Sequence, residues 1–196
     1  MLTLALSMAA APQPGGEEGG LFERLRRRDA QAMAQLYDQY SRAVYSLIYR
    51  IVQDVGVAED LAQETFLRVW NQAAAFDPGK GSAAAWILTV ARNRAIDWKR
   101  SAEGKAERTL WEAYDDERAG QFVDLERQLI TADQAQRVRR AMEKLNANQR
   151  MVLDLAYFEG LTQSEMAQRT GQPLGTIKTW VRAALQVLRQ ELGRAL

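Results

Sequence analysis

The stretch from residue 160 to 189, GLTQSEMAQRTGQPLGTIKTWVRAALQVLR, constrains this chain more than any other. It holds two helical patterns with a break between them. Leu161, Met166 and Ala167 give a short amphipathic helix, which Thr162 opens with Glu165 three residues on, the spacing of a capping box. Gly171-Gln172-Pro173 ends it, because glycine accepts a left-handed turn and proline cannot continue a hydrogen-bonded ladder. From about Leu174 a second helix follows. Ile177, Val181, Ala184, Leu185 and Leu188 form its apolar stripe, and Gly175, Lys178, Thr179, Arg182, Gln186 and Arg189 form its opposite face.

Two short helices joined by a glycine turn, the second with cations and hydroxyls outward, read as a helix-turn-helix. Lysine and arginine neutralise phosphates or donate to guanine, and threonine touches a base edge or the backbone. The same pattern also fits an ordinary helical hairpin with a solvated face. Composition narrows the chemistry further. With no Cys and no His in 196 residues, disulfides, thiolates, common zinc sites and histidine bases are excluded. Residues 21–100 carry 12 basic and 9 acidic groups, and residues 131–196 carry 10 and 6; the segment 101–130 carries 4 and 8. Two basic blocks around an acidic segment suit two nucleic-acid-facing domains on a linker, although a plain charged surface has the same balance.

Residues 1–20 hold an apolar run, Leu2 to Ala11, followed by Pro12, Pro14 and several glycines, and read as a disordered tail. The run lacks a basic lead and is too short to span a bilayer, so neither a secretory signal nor membrane insertion is expected. Leu36, Tyr40, Val44, Leu47, Ile48 and Ile51 recur at helical spacing, and Asp54 to Val57, with Gly56, is expected to end that helix. A helix over Val57 to Ala75 would bury Leu61, Ala62, Thr65, Phe66, Val69 and Ala73, with Asp60, Gln63, Glu64 and Leu67 on another face. Asp77-Pro78-Gly79-Lys80-Gly81 reads as a loop; its GKG lacks the remaining signature of a phosphate-binding loop. Ser82 is placed as the cap of a helix to about Arg100 with the stripe Ala84, Ile87, Leu88, Ala91, Ala95 and Trp98. Trp86, Thr89, Asn93 and Arg100 gather on a different side, where they suit base stacking and edge readout, while Trp86 alone reads more readily as packing. Ser101 to about Ile130 loses periodicity, and its run Asp115-Asp116-Glu117 reads as solvated charge rather than a metal site. Helices resume from Thr131 with Ala135, Val138, Ala141, Met142 and Leu145, then Met151 to Phe158. The fold class is all-α, in two small helical domains joined by a flexible acidic linker.

Three of these stretches in this order, residues 58–70, 76–100 and 161–189, resemble extracytoplasmic-function (group IV) sigma factors of bacterial RNA polymerase. The resemblance implies a tail over 1–20, a region 2 bundle over 21–100, a linker over 101–130 and a region 4 helix-turn-helix over 131–196. It implies a promoter-specificity subunit that is no enzyme and needs no cofactor or metal. Asp60, Gln63, Glu64 and Leu67 match the surface that docks on the β′ clamp helices of core polymerase, with the β flap as a further partner. The loop 77–82 and the following helix match the segment that captures a flipped base of the minus-10 element, with Lys80, Ser82, Trp86, Arg92 and Asn93 facing promoter DNA. Gly175, Thr176, Lys178, Thr179, Arg182 and Arg189 match positions facing the minus-35 element. The family further implies a cytoplasmic protein and an anti-sigma factor partner, which in some members is membrane-anchored.

Two departures stand out. Trp180 occupies a position where many relatives carry arginine, and Ala183 follows Arg182 where a second cation is frequent. Trp180 lies beside the apolar stripe and is expected to pack rather than to touch a phosphate. Two rival readings remain open in the residues alone: a DNA-binding regulator that never engages polymerase, and an α-helical hydrolase or nucleotidyl enzyme.

Overall fold

A computed structural model describes residues 17–101 and 132–193 of the chain. The tail expected over 1–20 lies outside the described residues as far as residue 16, whereas residues 17–20 are not tail but the first turn of a helix. Most of the acidic segment, including Asp115, Asp116 and Glu117, also lies outside the described residues. The regular structure among the described residues is helical throughout, and they divide into two compact units. The protein is all-α with two helical regions.

The first unit contains α1 (Glu17–Arg26), α2 (Ala30–Val52), α3 (Val55–Asn71) and α4 (Ala83–Arg100). Helices α2, α3 and α4 pack on one another and α1 lies against α2. The apolar spacing read from the sequence explains why: Leu36, Tyr40, Val44, Leu47 and Ile48 turn inward from α2 and meet Leu61, Phe66 and Val69 of α3 and Ile87, Leu88 and Ala91 of α4, all buried. Each such aliphatic side chain contributes about 1.5–3 kcal/mol by leaving water. Thr65 sits in this core fully buried, its hydroxyl donating to the Leu61 carbonyl at 2.7 Å, so no polar group is left orphaned by its burial.

The junctions differ from the sequence expectation in an informative way. Gly56 does not end α2 but lies inside α3; the break is Gln53, left-handed at φ 57°, whose N–H donates to Tyr49. Asp54 then caps α3 by accepting the Val57 N–H at 2.8 Å. At its other end α3 stops at Asn71, short of the expected Ala75, and a single 3-10 turn over Ala73–Ala75 takes over. In α4 the buried position near the C-terminus is Ile96, whereas Trp98 is half-buried, and in α3 Ala62 is half-buried rather than core.

The second unit contains α5 (Ala132–Glu143), α6 (Ala147–Tyr157), α7 (Gln163–Thr170) and α8 (Leu174–Gly193), with α5, α6 and α7 all packed on α8. One apolar cluster joins Val138, Ala141 and Leu145 to Leu153, Ala184 and Leu188; another joins Val152 and Leu155 to Met166 and Ile177. Two capping boxes set the starts of helices. Asn146 and Gln149 exchange side-chain-to-backbone bonds of 2.9 Å each way at α6, and Thr162 and Glu165 do so at α7. Gly171 ends α7 with φ 66° and ψ 13°, and the Pro173 carbonyl accepts from Thr176 and Ile177 to open α8.

Candidate nucleic-acid interface

The outer face of α8 is built by its inner one. Ile177, Ala184 and Leu188 are buried, which fixes the rotation of the helix and leaves Gly175, Lys178, Thr179, Arg182, Gln186 and Arg189 exposed. Three cations thus share one solvent-facing side within a single rigid helix. Thr176 is half-buried and stands apart from that face. The Thr179 hydroxyl donates to the Gly175 carbonyl at 2.9 Å, which orients its oxygen but leaves its lone pairs available. Trp180, half-buried, packs against the cluster of Val152, Leu155, Met166 and Ile177, as its place beside the stripe led us to expect. Ala183 is half-buried too.

The loop before α4 is pinned internally. Asp77 accepts the Gly79 N–H at 2.9 Å, its other oxygen lies 3.4 Å from Lys80 Nζ, and Gly81 turns the chain at φ 154°, a conformation that side chains resist. Lys80 is exposed, whereas the Ser82 hydroxyl is occupied as the α4 cap, accepting the Ala85 N–H at 3.2 Å. Trp86 is half-buried, edge-on to Phe22 at 5.6 Å and tilted against Phe76 at 5.8 Å, so the packing reading of this side chain holds. Asn93 is exposed on α4, with Arg92 beside it donating to its side-chain oxygen at 3.4 Å.

On α3, Asp60, Gln63 and Leu67 are exposed, Leu67 to 61%. Glu64 differs from them: it is half-buried and paired with Arg94 of α4. That hydrogen bond holds the Glu64 carboxyl below the usual carboxylate range; partial desolvation opposes the shift, and the charges of Arg94 and Arg68 reinforce it. Sequence reasoning missed this partner, 30 residues away, and also missed Tyr37 of α2, half-exposed with its ring 4.9 Å from Phe66. Among the described residues no group of three or more acidic side chains converges as metal ligands would.

Comparison with known proteins meets this geometry. The Sigma-70 region 2 family model matches residues 36–104, and the Sigma-70 region 4 model matches residues 135–188. Over 188 residues the chain is 36% identical to the ECF RNA polymerase sigma factor SigK of Mycolicibacterium vanbaalenii, covering 95% of each chain. The chain belongs to the ECF family of RNA polymerase sigma factors. It is likewise 36% identical to SigK of Mycobacterium tuberculosis over 93% of its own length and 97% of the relative's. A solved structure, Rhodobacter sphaeroides SigE in complex with the anti-sigma ChrR, shares 30% identity over 89% of this chain and 97% of that one, with a TM-score of 0.46.

As an ECF sigma factor the protein associates with RNA polymerase for transcription initiation and catalyses no reaction itself. The region 2 match covers α3, the loop 77–82 and α4, and the region 4 match covers α6, α7 and α8 as far as Leu188, which includes Lys178 and Arg182 but not Arg189. The candidate residues of this sigma factor therefore lie on three surfaces: the cationic side of α8, the loop and adjoining turns of α4, and the exposed side of α3. No helix among the described residues is long and apolar enough to cross a membrane.

Proposed function

We propose that this sigma factor reads promoter DNA with two surfaces and docks on core polymerase with a third. The observation that carries the reading is the cationic face of α8, where Lys178, Arg182 and Arg189 all face solvent while the helix is locked from behind by buried Ile177, Ala184 and Leu188. Such a face, presented after a glycine turn, suits the major groove at the minus-35 element, with Gly175 allowing close backbone approach and Thr179 offering a hydroxyl. Thr176, half-buried, contributes through the helix N-terminus rather than by its side chain. Lys80, Asn93 and Arg92 contact the minus-10 element, while Ser82 and Trp86 hold the loop that captures a flipped base. Asp60, Gln63 and Leu67 form the dock for the β′ clamp helices, with Glu64 as a tethered edge of it, and the β flap takes a further contact.

Residues 21–100 would then act as the region 2 domain and 131–196 as the region 4 domain, with 101–130 as linker. One chain bearing both raises the effective concentration of the second site once the first is engaged, so neither needs tight binding alone. Polymerase and promoter are cytoplasmic, and the protein is placed there. An anti-sigma factor, the partner that the resemblance implies, would silence the protein by covering these same surfaces.

The test is run-off transcription by core polymerase with a promoter selected from random DNA by the reconstituted holoenzyme. Transcripts are expected only when the chain is added. Replacing Lys178 and Arg182 together by alanine should weaken promoter binding and lower the slope of log affinity against log salt by about 0.9 for each phosphate that is no longer neutralised. A double variant that binds with the wild-type affinity and slope would remove α8 from the interface.

A further inference from the structure

The loop 77–82 is anchored at both ends on a helix that precedes it by 50 residues. Phe76, directly before the loop, and Trp86, in the first turns of α4 after it, both lie on Phe22 of α1: the ring centroids are 4.0 Å apart for Phe22–Phe76 and 5.6 Å apart for Phe22–Trp86. Phe22 and Phe76 are 1% and 3% exposed. One turn along α1, the Arg26 guanidinium donates through Nη2 to the Phe76 carbonyl at 2.8 Å and through Nε to the Ala73 carbonyl at 3.4 Å, while Nη1 pairs with Glu23. All three nitrogens are engaged. Of the two carbonyls it collects, that of Ala73 opens the 3-10 turn and already accepts the Phe76 N–H at 3.4 Å, while that of Phe76 lies just past the turn, at the root of the loop. A planar fork reaching two carbonyls from one position is something lysine cannot supply.

We propose that α1 is a brace for the minus-10 recognition loop and that Arg26 is a positioning residue for capture of the flipped base. The proposal rests on the reading of 77–82 as the capturing loop. Inside that loop the turn is self-contained, held by Asp77, Gly79 and the φ 154° of Gly81. What the turn does not set is where it stands over the first residues of α4. Phe22 sets this from beneath, through two rings. Arg26 sets it from the side, through the backbone at the loop's root. Losing Arg26 leaves the buried rings and the loop's own turn in place but frees the root to shift, so the pocket loses its aim rather than its shape.

The experiment compares holoenzymes made with wild type, Arg26→Ala, Arg26→Lys and Arg27→Ala, the last removing an exposed neighbouring charge. The DNA is a promoter selected by wild-type holoenzyme, with 2-aminopurine in the non-template strand of its minus-10 element. The readouts are core-polymerase affinity, closed-duplex affinity and the fluorescence rise on base capture. Arg26→Ala should keep both affinities and lose about tenfold in capture, consistent with losing charge-assisted bonds at the loop root. Arg26→Lys should recover only part of it, and Arg27→Ala should match wild type. Capture by Arg26→Ala at the wild-type level overturns the brace, as does a loss of core affinity in the same proportion, which would mean general unfolding. Full recovery by Arg26→Lys removes the fork from the explanation. If wild-type holoenzyme gives no fluorescence rise at all, the capture reading of the loop fails first, and the brace with it.

Discussion

Glu64 illustrates how a single residue can answer to two surfaces. Its carboxylate lies on the side of α3 that carries Asp60 and Leu67, yet its partner is Arg94 on α4, so the pair spans two helices of one bundle. Its depressed pKa makes this pair a source of stability present above the ordinary carboxylate range and lost as pH falls through the folded value, because only then is the charged form removed. With the Glu64 side chain 46% exposed, solvent screening limits the contribution to about 0.5 kcal/mol. Glu64→Gln should therefore lower stability against urea by that amount at pH 7, and the gap should close in acid below the ordinary carboxylate range or in high salt. An equal gap at all pH values would mean that the substitution acts through packing. Arg94 was not foreseeable, because nothing local to Glu64 points 30 residues ahead. The same holds for Arg26 and the carbonyl of Phe76: the sequence shows a run of arginines after Leu25, but which one turns inward is decided only when α1 meets the turn after α3.

At the scale of helices and turns, the readable features were the local ones. Thr162 with Glu165, Gly171 with Pro173, and Ser82 before a run of alanines each act within a few residues, and each forms the cap or turn expected of it. The less legible boundary was between α2 and α3. A glycine drew attention to position 56, while the chain used left-handed Gln53 and the Asp54 cap, a combination in which the cap's bond to Val57 offsets the strain of a non-glycine turn. Two glycines of the helix-turn-helix make a contrasting pair. Alanine at Gly171 meets no atom within 4 Å but must adopt φ 66°, so Gly171→Ala should cost about 1 kcal/mol by thermal or urea unfolding. Alanine at Gly175 also meets open space, and there the backbone is helical, so Gly175→Ala should stabilise the protein by about 0.5–1 kcal/mol. Any promoter affinity lost by that more stable variant then reports crowding against DNA. Should Gly175→Ala destabilise the protein, α8 would not begin as a regular helix in solution.

The described residues form two helical units, each with its own buried core. Its membership in the ECF sigma factors was legible only through the resemblance carried by three stretches in their order; helical spacing and caps, which are local, pointed no further than an all-α chain with a helix-turn-helix. Which face of each helix stays open was legible only in outline: α8 matches the expectation apart from half-buried Thr176, while Ser82 and Glu64 are already engaged within the protein. The claim on which the proposed mechanism depends most is that the exposed side of α3 joins this chain to polymerase. Asp60 is the residue to test, being solvent-facing and outside the core, so that a charge reversal leaves the fold intact. The most direct measurement is the affinity of Asp60→Arg protein for core polymerase, read beside its circular dichroism. The account predicts a native spectrum with core binding weakened at least tenfold, since a reversed charge replaces attraction by repulsion at the dock; native Asp60→Arg protein that binds core as tightly as wild type would contradict it.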